Sequence, residues 1–102
     1  MRQVYFDNQA STLLAPEVLE EMRPFLTEHF GNASSLHQHG LRARDAIDLA
    51  RSRVAALIHA ESPEEIIFTS DGTESSNLAL KGVAYASRRR GNHIVVSRIE
   101  HP

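Results

Sequence analysis

The chain has 102 residues and a formal net charge of -2 at pH 7, which bounds it to one small domain with little surplus stability and gives no sign of a nucleic-acid surface. Its 41% hydrophobic and 24% charged residues match an ordinary soluble globular protein, and the lack of cysteine excludes disulfides, thiolate metal sites and a Cys nucleophile within these residues. No apolar run approaches the roughly 20 residues of a membrane helix and Met1-Arg2-Gln3 leads into no signal-peptide core, so the expected compartment is cytoplasmic, with no membrane partner.

Val4-Tyr5-Phe6 is a short β-prone run that stops at Asp7-Asn8, residues whose side chains favour turns. Pro16 opens a helical pattern in which Val18, Leu19, Met22, Phe25 and Leu26 share one face, and Pro24 is expected to kink or shorten that helix. Gly31 to Ser35 reads as a loop. A second helix is expected after Gly40, with an apolar stripe of Leu41, Ala43, Ala46, Ile47, Ala50, Val54, Leu57 and Ile58. Ser62 and Glu65 stand in capping-box register for at most one turn.

Glu65-Ile66-Ile67-Phe68-Thr69 is a β-branched and aromatic run that predicts a buried strand. From Thr73 or Glu74 to about Arg90 the spacing predicts a helix, ended by Gly91-Asn92, and His93 to Ser97 predicts a second strand. Strand, helix and strand in that order predict a βαβ unit with a parallel pair.

The first predicted strand runs into Ser70-Asp71-Gly72-Thr73, with the helix just beyond. Such strand-to-helix turns are where open α/β sheets place ligands, and a helix start offers unpaired N–H groups to an anion such as phosphate. Gly72 permits close backbone approach, and Thr73 and Ser75 add hydroxyls. The plainer alternative is that Thr73 or Ser75 only caps the helix. The stretch is neither a Walker loop nor G-x-G-x-x-G.

Four stretches together resemble cysteine desulfurases, within the class V aminotransferase family. Val4-Tyr5-Phe6-Asp7-Asn8-Gln9-Ala10-Ser11-Thr12 is similar to their Y-[LF]-D-N-x-A-[ST]-T. Phe30-Gly31-Asn32-Ala33-Ser34-Ser35-Leu36-His37-x-x-Gly40 is similar to F-G-N-P-S-S-x-H-x-x-G. Ile67 to Asn77 resembles [IV]-x-F-T-S-G-x-T-E-[SA]-[ND]-N, and Ser97 to Pro102 resembles S-x-x-E-H-x. The resemblance spans nearly the whole chain.

It implies an α/β fold, the N-terminal part of the pyridoxal-phosphate-dependent transferase fold type I three-layer α/β/α domain, incomplete in this chain. Residues 1–15 would form an active-site and small-domain segment, and 16–102 the start of the large cofactor-binding domain. It implies the cofactor pyridoxal 5'-phosphate, with Gly72 and Thr73 on its phosphate. His101 would stack on the ring and take part in proton transfer, jobs that suit an aromatic group titrating near neutrality. The implied substrate is L-cysteine, the product alanine, and the partners a sulfur-acceptor or scaffold protein and a second subunit in a homodimer; the sulfur, carried as a persulfide, would serve iron–sulfur cluster or thiolation pathways. Close variants are a selenocysteine lyase or an aminotransferase of the same class.

Two departures qualify the resemblance. Asp71 and Gly72 stand where the family usually has Gly and then Ala, which puts a carboxylate beside a site for a dianion. Lys81, the sole lysine, matches an ordinary helix lysine of the family and not the Schiff-base residue, which is expected downstream with the acceptor cysteine. The chain is therefore expected to be about the first quarter of such an enzyme, inactive and marginally stable alone, or else a non-catalytic truncated or split gene product. The Arg88-Arg89-Arg90 run reads as a solvated helix end. His37 and His39 lack an evident third ligand for a metal, and His29, His59 and His93 read as surface or boundary residues.

Overall fold

The computed structural model describes residues 2–99. They fall into two compact units divided between Ile66 and Ile67. In the first unit, α1 runs Pro16–Thr27, α2 runs Gln38–Leu57, and one 3-10 turn covers Pro63–Glu65; in the second, α3 runs Gly72–Ser87.

The turn expected at Asp7-Asn8 is present. The Asp7 carbonyl accepts from the N–H groups of Ala10 (3.1 Å) and Ser11 (3.2 Å). The Tyr5 hydroxyl lies 2.9 Å from the Asp7 carbonyl and 3.0 Å from that of Ser11, placed to donate to either.

Pro16 stands in the first turn of α1, where its missing N–H costs nothing, and Ala15 supplies no side-chain cap. The expected shortening at Pro24 does not occur, since the helix continues through it to Thr27. Pro24 cannot donate to the Glu20 carbonyl, but only that one bond is lost. Beyond it, the Pro24 carbonyl accepts from both Glu28 (2.8 Å) and His29 (2.7 Å). On the exposed side, Arg23 pairs with Glu20 at 2.7 Å, which holds the Glu20 carboxyl below its usual range.

The second helix starts at Gln38, ahead of the predicted start after Gly40. Its cap is His37, whose Nδ1 accepts from the Gly40 N–H at 3.4 Å. Gly40 therefore belongs to the first helical turn, and it is buried. The loop before it folds tightly against this turn. Asn32 Oδ1 accepts from the Ser34 N–H (2.8 Å), the Asn32 carbonyl accepts from the Ser35 N–H (2.9 Å), and the Phe30 and His39 rings stack with centroids 5.9 Å apart. From one turn along α2, Arg44 donates to the Ala33 carbonyl through Nε (3.1 Å) and Nη2 (2.9 Å).

α2 ends in a left-handed residue, His59 with φ of 56°. The His59 N–H reaches the Ala56 carbonyl at 3.3 Å and the Ala60 N–H reaches Ala55 at 2.9 Å, the paired bonds of a Schellman ending. Ser62 then caps the 3-10 turn by accepting from the Glu64 N–H (3.3 Å). The capping partner is thus Glu64 rather than the predicted Glu65, and Glu65 lies inside the turn instead of opening a strand. Arg51 of α2 donates to the Ile66 carbonyl, tying the turn to the helix.

Little apolar surface is covered. Ala55 and Ile66 are the buried apolar residues of the described chain. α2 and the 3-10 turn are the one pair of elements in packed contact among the described residues. Val18, Met22 and Phe25 of α1 face Ala46, Leu49 and Ala50 of α2 across a groove of about 470 Å³ instead of interdigitating with them. A large apolar side chain left in water forgoes about 1.5–3 kcal/mol of burial, so these stripes supply little of the stability that packing would bring.

In the second unit, α3 stops at Ser87 and not at the predicted Arg90. The Arg90 N–H turns back to the Ser87 carbonyl (2.7 Å) and Gly91 follows at 3.3 Å. Neither predicted strand forms a ladder among the described residues: Ile67 to Thr69 and His93 to Ser97 carry no strand pairing, and the parallel pair is not made. Ile66 does have the extended backbone of a strand, with φ of -89° and ψ of 117°. What is missing is a partner, because a ladder exists only where a neighbour supplies N–H and C=O groups.

Candidate functional site

The turn from Thr69 to Ser75 is held by a dense local set of bonds. Asp71 is the N-cap of α3, and its Oδ1 accepts from the Glu74 N–H at 2.7 Å. The alternative that Thr73 or Ser75 caps the helix is thereby corrected: a carboxylate one residue ahead of Gly72 reaches the third-position N–H with the usual capping geometry. Glu74 reaches back in turn, its Oε2 accepting from the Ser70 N–H (2.6 Å) and hydroxyl (2.7 Å). These two donors, the backbone N–H foremost, hold the Glu74 carboxyl below its ordinary value. Thr69 and Ser75 hydroxyls meet at 2.5 Å, and both lie within 3.1 Å of the Asp71 carbonyl.

Gly72 and Thr73 occupy the first two helical positions. Among the described residues their N–H groups have no partner, while the Thr73 carbonyl is used by the Asn77 side chain at 2.9 Å. A Cβ placed on Gly72 would meet nothing within 4 Å. Two exposed N–H donors at the positive end of a four-turn helix, with a threonine hydroxyl on the second, can together hold an oxyanion.

The structure thus brings Gly72 and Thr73 together, while His101 lies outside the described residues. Lys81 is nine residues beyond Gly72 on the same helix. At about 1.5 Å and 100° per residue, that puts it roughly 13 Å away along the axis and on the opposite face. It does not reach the turn. Arg88 to Arg90 sit at the far end of α3, where cations favour the helix dipole. Beside them, Leu80, Val83, Ala84, Tyr85 and Ile94 line an apolar concavity of about 770 Å³, far from the turn. No group of three His, Cys, Asp or Glu able to hold a metal occurs among the described residues, and His37 and His39 are used in the α2 cap and the Phe30 stack. No described helix is long and apolar enough to cross a membrane.

The capping role of Asp71 and the return of Glu74 to Ser70 are absent from the sequence reading. Their signal is the spacing Asp71-x-x-Glu74 ahead of an apolar run, a capping-box pattern displaced by one residue.

Several known proteins are similar to this chain. The chain is 53% identical over 100 residues to a cysteine desulfurase IscS of Clostridium botulinum (strain Kyoto / Type A2), covering 98% of this chain and 25% of that one. It is 54% identical over 100 residues to a cysteine desulfurase IscS of Dictyoglomus turgidum, with the same coverage. It is 51% identical over 98 residues to one of Methanosarcina thermophila, covering 96% and 24%. The chain therefore spans about a quarter of the length of these relatives. A solved structure described as a NifS-like protein superposes with a TM-score of 0.86 at 44% identity, over 98% of this chain and 27% of that one, so the backbone described above resembles the corresponding part of that structure. Residues 4–102 match the family Aminotransferase class-V, and the chain belongs to that family.

Proposed function

We propose that this chain is the N-terminal, phosphate-binding part of a pyridoxal-phosphate-dependent cysteine desulfurase acting in the cytoplasm. The observation that carries the reading is the pair of N–H groups on Gly72 and Thr73 that have no partner among the described residues, in a chain about half identical to proteins of that name. The residues present fit the cofactor phosphate: two N–H donors, one hydroxyl and unobstructed space beside Gly72. Pyridoxal phosphate, when bound, supplies the electron sink that lets a carbon–sulfur bond of L-cysteine break.

In this reading Gly72 and Thr73 anchor the phosphate and so fix the position of the whole cofactor. Asp71 and Glu74 keep the turn in shape by occupying other N–H groups. His101 is assigned to the cofactor ring and to proton transfer, on the strength of its S-x-x-E-H motif. Lys81, far along α3 from the turn, is not assigned as the carrier lysine, and the reading places that lysine and the sulfur-accepting cysteine outside these 102 residues. The segments 66–69 and 93–97 are assigned to a sheet of the three-layer α/β/α domain whose other strands lie outside the described residues. A homodimer and a sulfur-acceptor protein complete the proposal.

A chimera tests it. Residues 4–102 replace the matching quarter of the Clostridium botulinum relative, and the purified protein is assayed for bound pyridoxal phosphate by its visible spectrum and for alanine release from L-cysteine. The expected result is a loaded, active chimera whose cofactor affinity drops about tenfold on Thr73→Val, the scale of one lost hydrogen bond to a charged group. A chimera that folds like the parent yet retains no cofactor would sink the reading.

A further inference from the structure

The turn carries a fixed negative charge of its own beside the donors assigned above to phosphate. Asp71 Oδ1 lies 2.7 Å from the Glu74 N–H, in the same first turn of α3 as the free N–H groups of Gly72 and Thr73. The carboxylate is therefore held by the helix start itself and cannot swing away without giving up the cap. Glu74 is turned the other way, onto Ser70.

Resting on the proposed phosphate site, we infer that Asp71 is a positioning residue that lowers the affinity of the site for phosphate, so that the anion is held in competition with a built-in carboxylate. The two contributions of Asp71 oppose one another. As a cap it keeps Gly72 and Thr73 helical, which orders their N–H groups for a ligand. As a charge it repels the incoming dianion. An anion on the Gly72 and Thr73 N–H groups would sit roughly 5 Å from the carboxylate, by helix geometry. At that separation a unit charge and a phosphate near -2 repel, even in water, by about tenfold in affinity. The capping contribution survives replacement by Asn, which accepts the same bond without the charge, so Asp71→Asn isolates the repulsion.

The test titrates the chimera described above, freed of cofactor, its Asp71→Asn variant and its Thr73→Val variant with inorganic phosphate and with pyridoxal phosphate, by phosphorus NMR and calorimetry. Helix content is checked by circular dichroism. The expected result is about tenfold tighter binding of both probes by Asp71→Asn at low salt, shrinking towards equality near 1 M salt, where screening acts over about 3 Å. Equal or weaker binding by a folded Asp71→Asn at low salt overturns the inference while leaving the phosphate site intact. Binding unaffected by Thr73→Val, or absent from both the folded chimera and its Asp71→Asn variant, overturns the site assignment itself and the inference with it.

Discussion

At Gly31 and Gly40 an added Cβ would come within 2.2 Å of the His39 carbonyl oxygen and 2.3 Å of the Ser35 carbonyl oxygen, whereas at Gly72 it would meet nothing within 4 Å. The first two glycines are required by contacts the chain makes with itself. Loop 30–37 lies directly on the start of α2, sealed by the Arg44 bonds to Ala33 and by the His37 cap. Around Gly72 the chain is equally well bonded at Asp71, Glu74 and Ser75, but among the described residues the N–H groups of Gly72 and Thr73 take no part in it. One turn is complete in itself; the other leaves two N–H groups without a partner among the described residues. Glycine alone does not distinguish them, and only the surroundings do.

The strongest way to break that contrast is to add a methyl group at each position. Gly40→Ala should cost about 2–3 kcal/mol, because the Cβ meets backbone oxygens that cannot move independently of the loop. Gly72→Ala should be neutral or stabilise by up to about 1 kcal/mol, since it replaces a poor helix former in open space. Urea melts of the two variants against the parent chain decide the matter. Similar costs at both positions would mean that the second turn is packed as tightly as the first.

The sequence makes some of this legible and hides the rest for identifiable reasons. The three helices follow from apolar spacing, and the Asp7 turn and the Ser62 cap from local side-chain chemistry. Boundaries go astray where a longer-range contact decides them: α2 begins early because loop 31–35 buries Gly40, and α1 runs through Pro24 because one missing bond does not undo a helix whose later N–H groups find the Pro24 carbonyl. The predicted strands fail to pair because β structure needs a neighbour, and pattern alone cannot say whether one is present. At the candidate site, the motif singles out Gly72 and Thr73, while the capping role of Asp71 becomes clear only when its carboxylate is seen on the Glu74 N–H.

A gentler perturbation sharpens the comparison from the closed side. His59 ends α2 in the left-handed region at φ of 56°, a conformation that costs a residue with a Cβ roughly 1–2 kcal/mol. Glycine relieves that cost and loses only part of the gain to its freer unfolded state. His59→Gly should therefore stabilise the first unit by about 1 kcal/mol in the same melts. The amide resonances of residues 70–75 should stay where they are, since the bonds of the Schellman ending lie within residues 55–60. A shift in those resonances would show that the two turns are coupled.

The smallest expected effect is at Glu74, which tests how the open turn keeps its shape. The Ser70 N–H and hydroxyl lower its carboxyl below the ordinary 4.5. A folded pKa below the unfolded one means that the unfolded chain takes up the proton first. The contribution of the bond is then whole above about pH 4.5 and disappears as pH falls through the lower, folded value. Because the group is solvent-exposed, screening keeps the effect small, and it is best read locally. The Ser70 amide resonance should titrate in step with the Glu74 carboxyl, with a midpoint below the usual carboxylate range, and Glu74→Gln should abolish that titration. A midpoint at or above 4.5 would mean that Glu74 does not hold Ser70 in solution. Asp71 would then be left as the one carboxylate ordering the turn, and the charge beside the Gly72 and Thr73 donors would be fixed by a single cap.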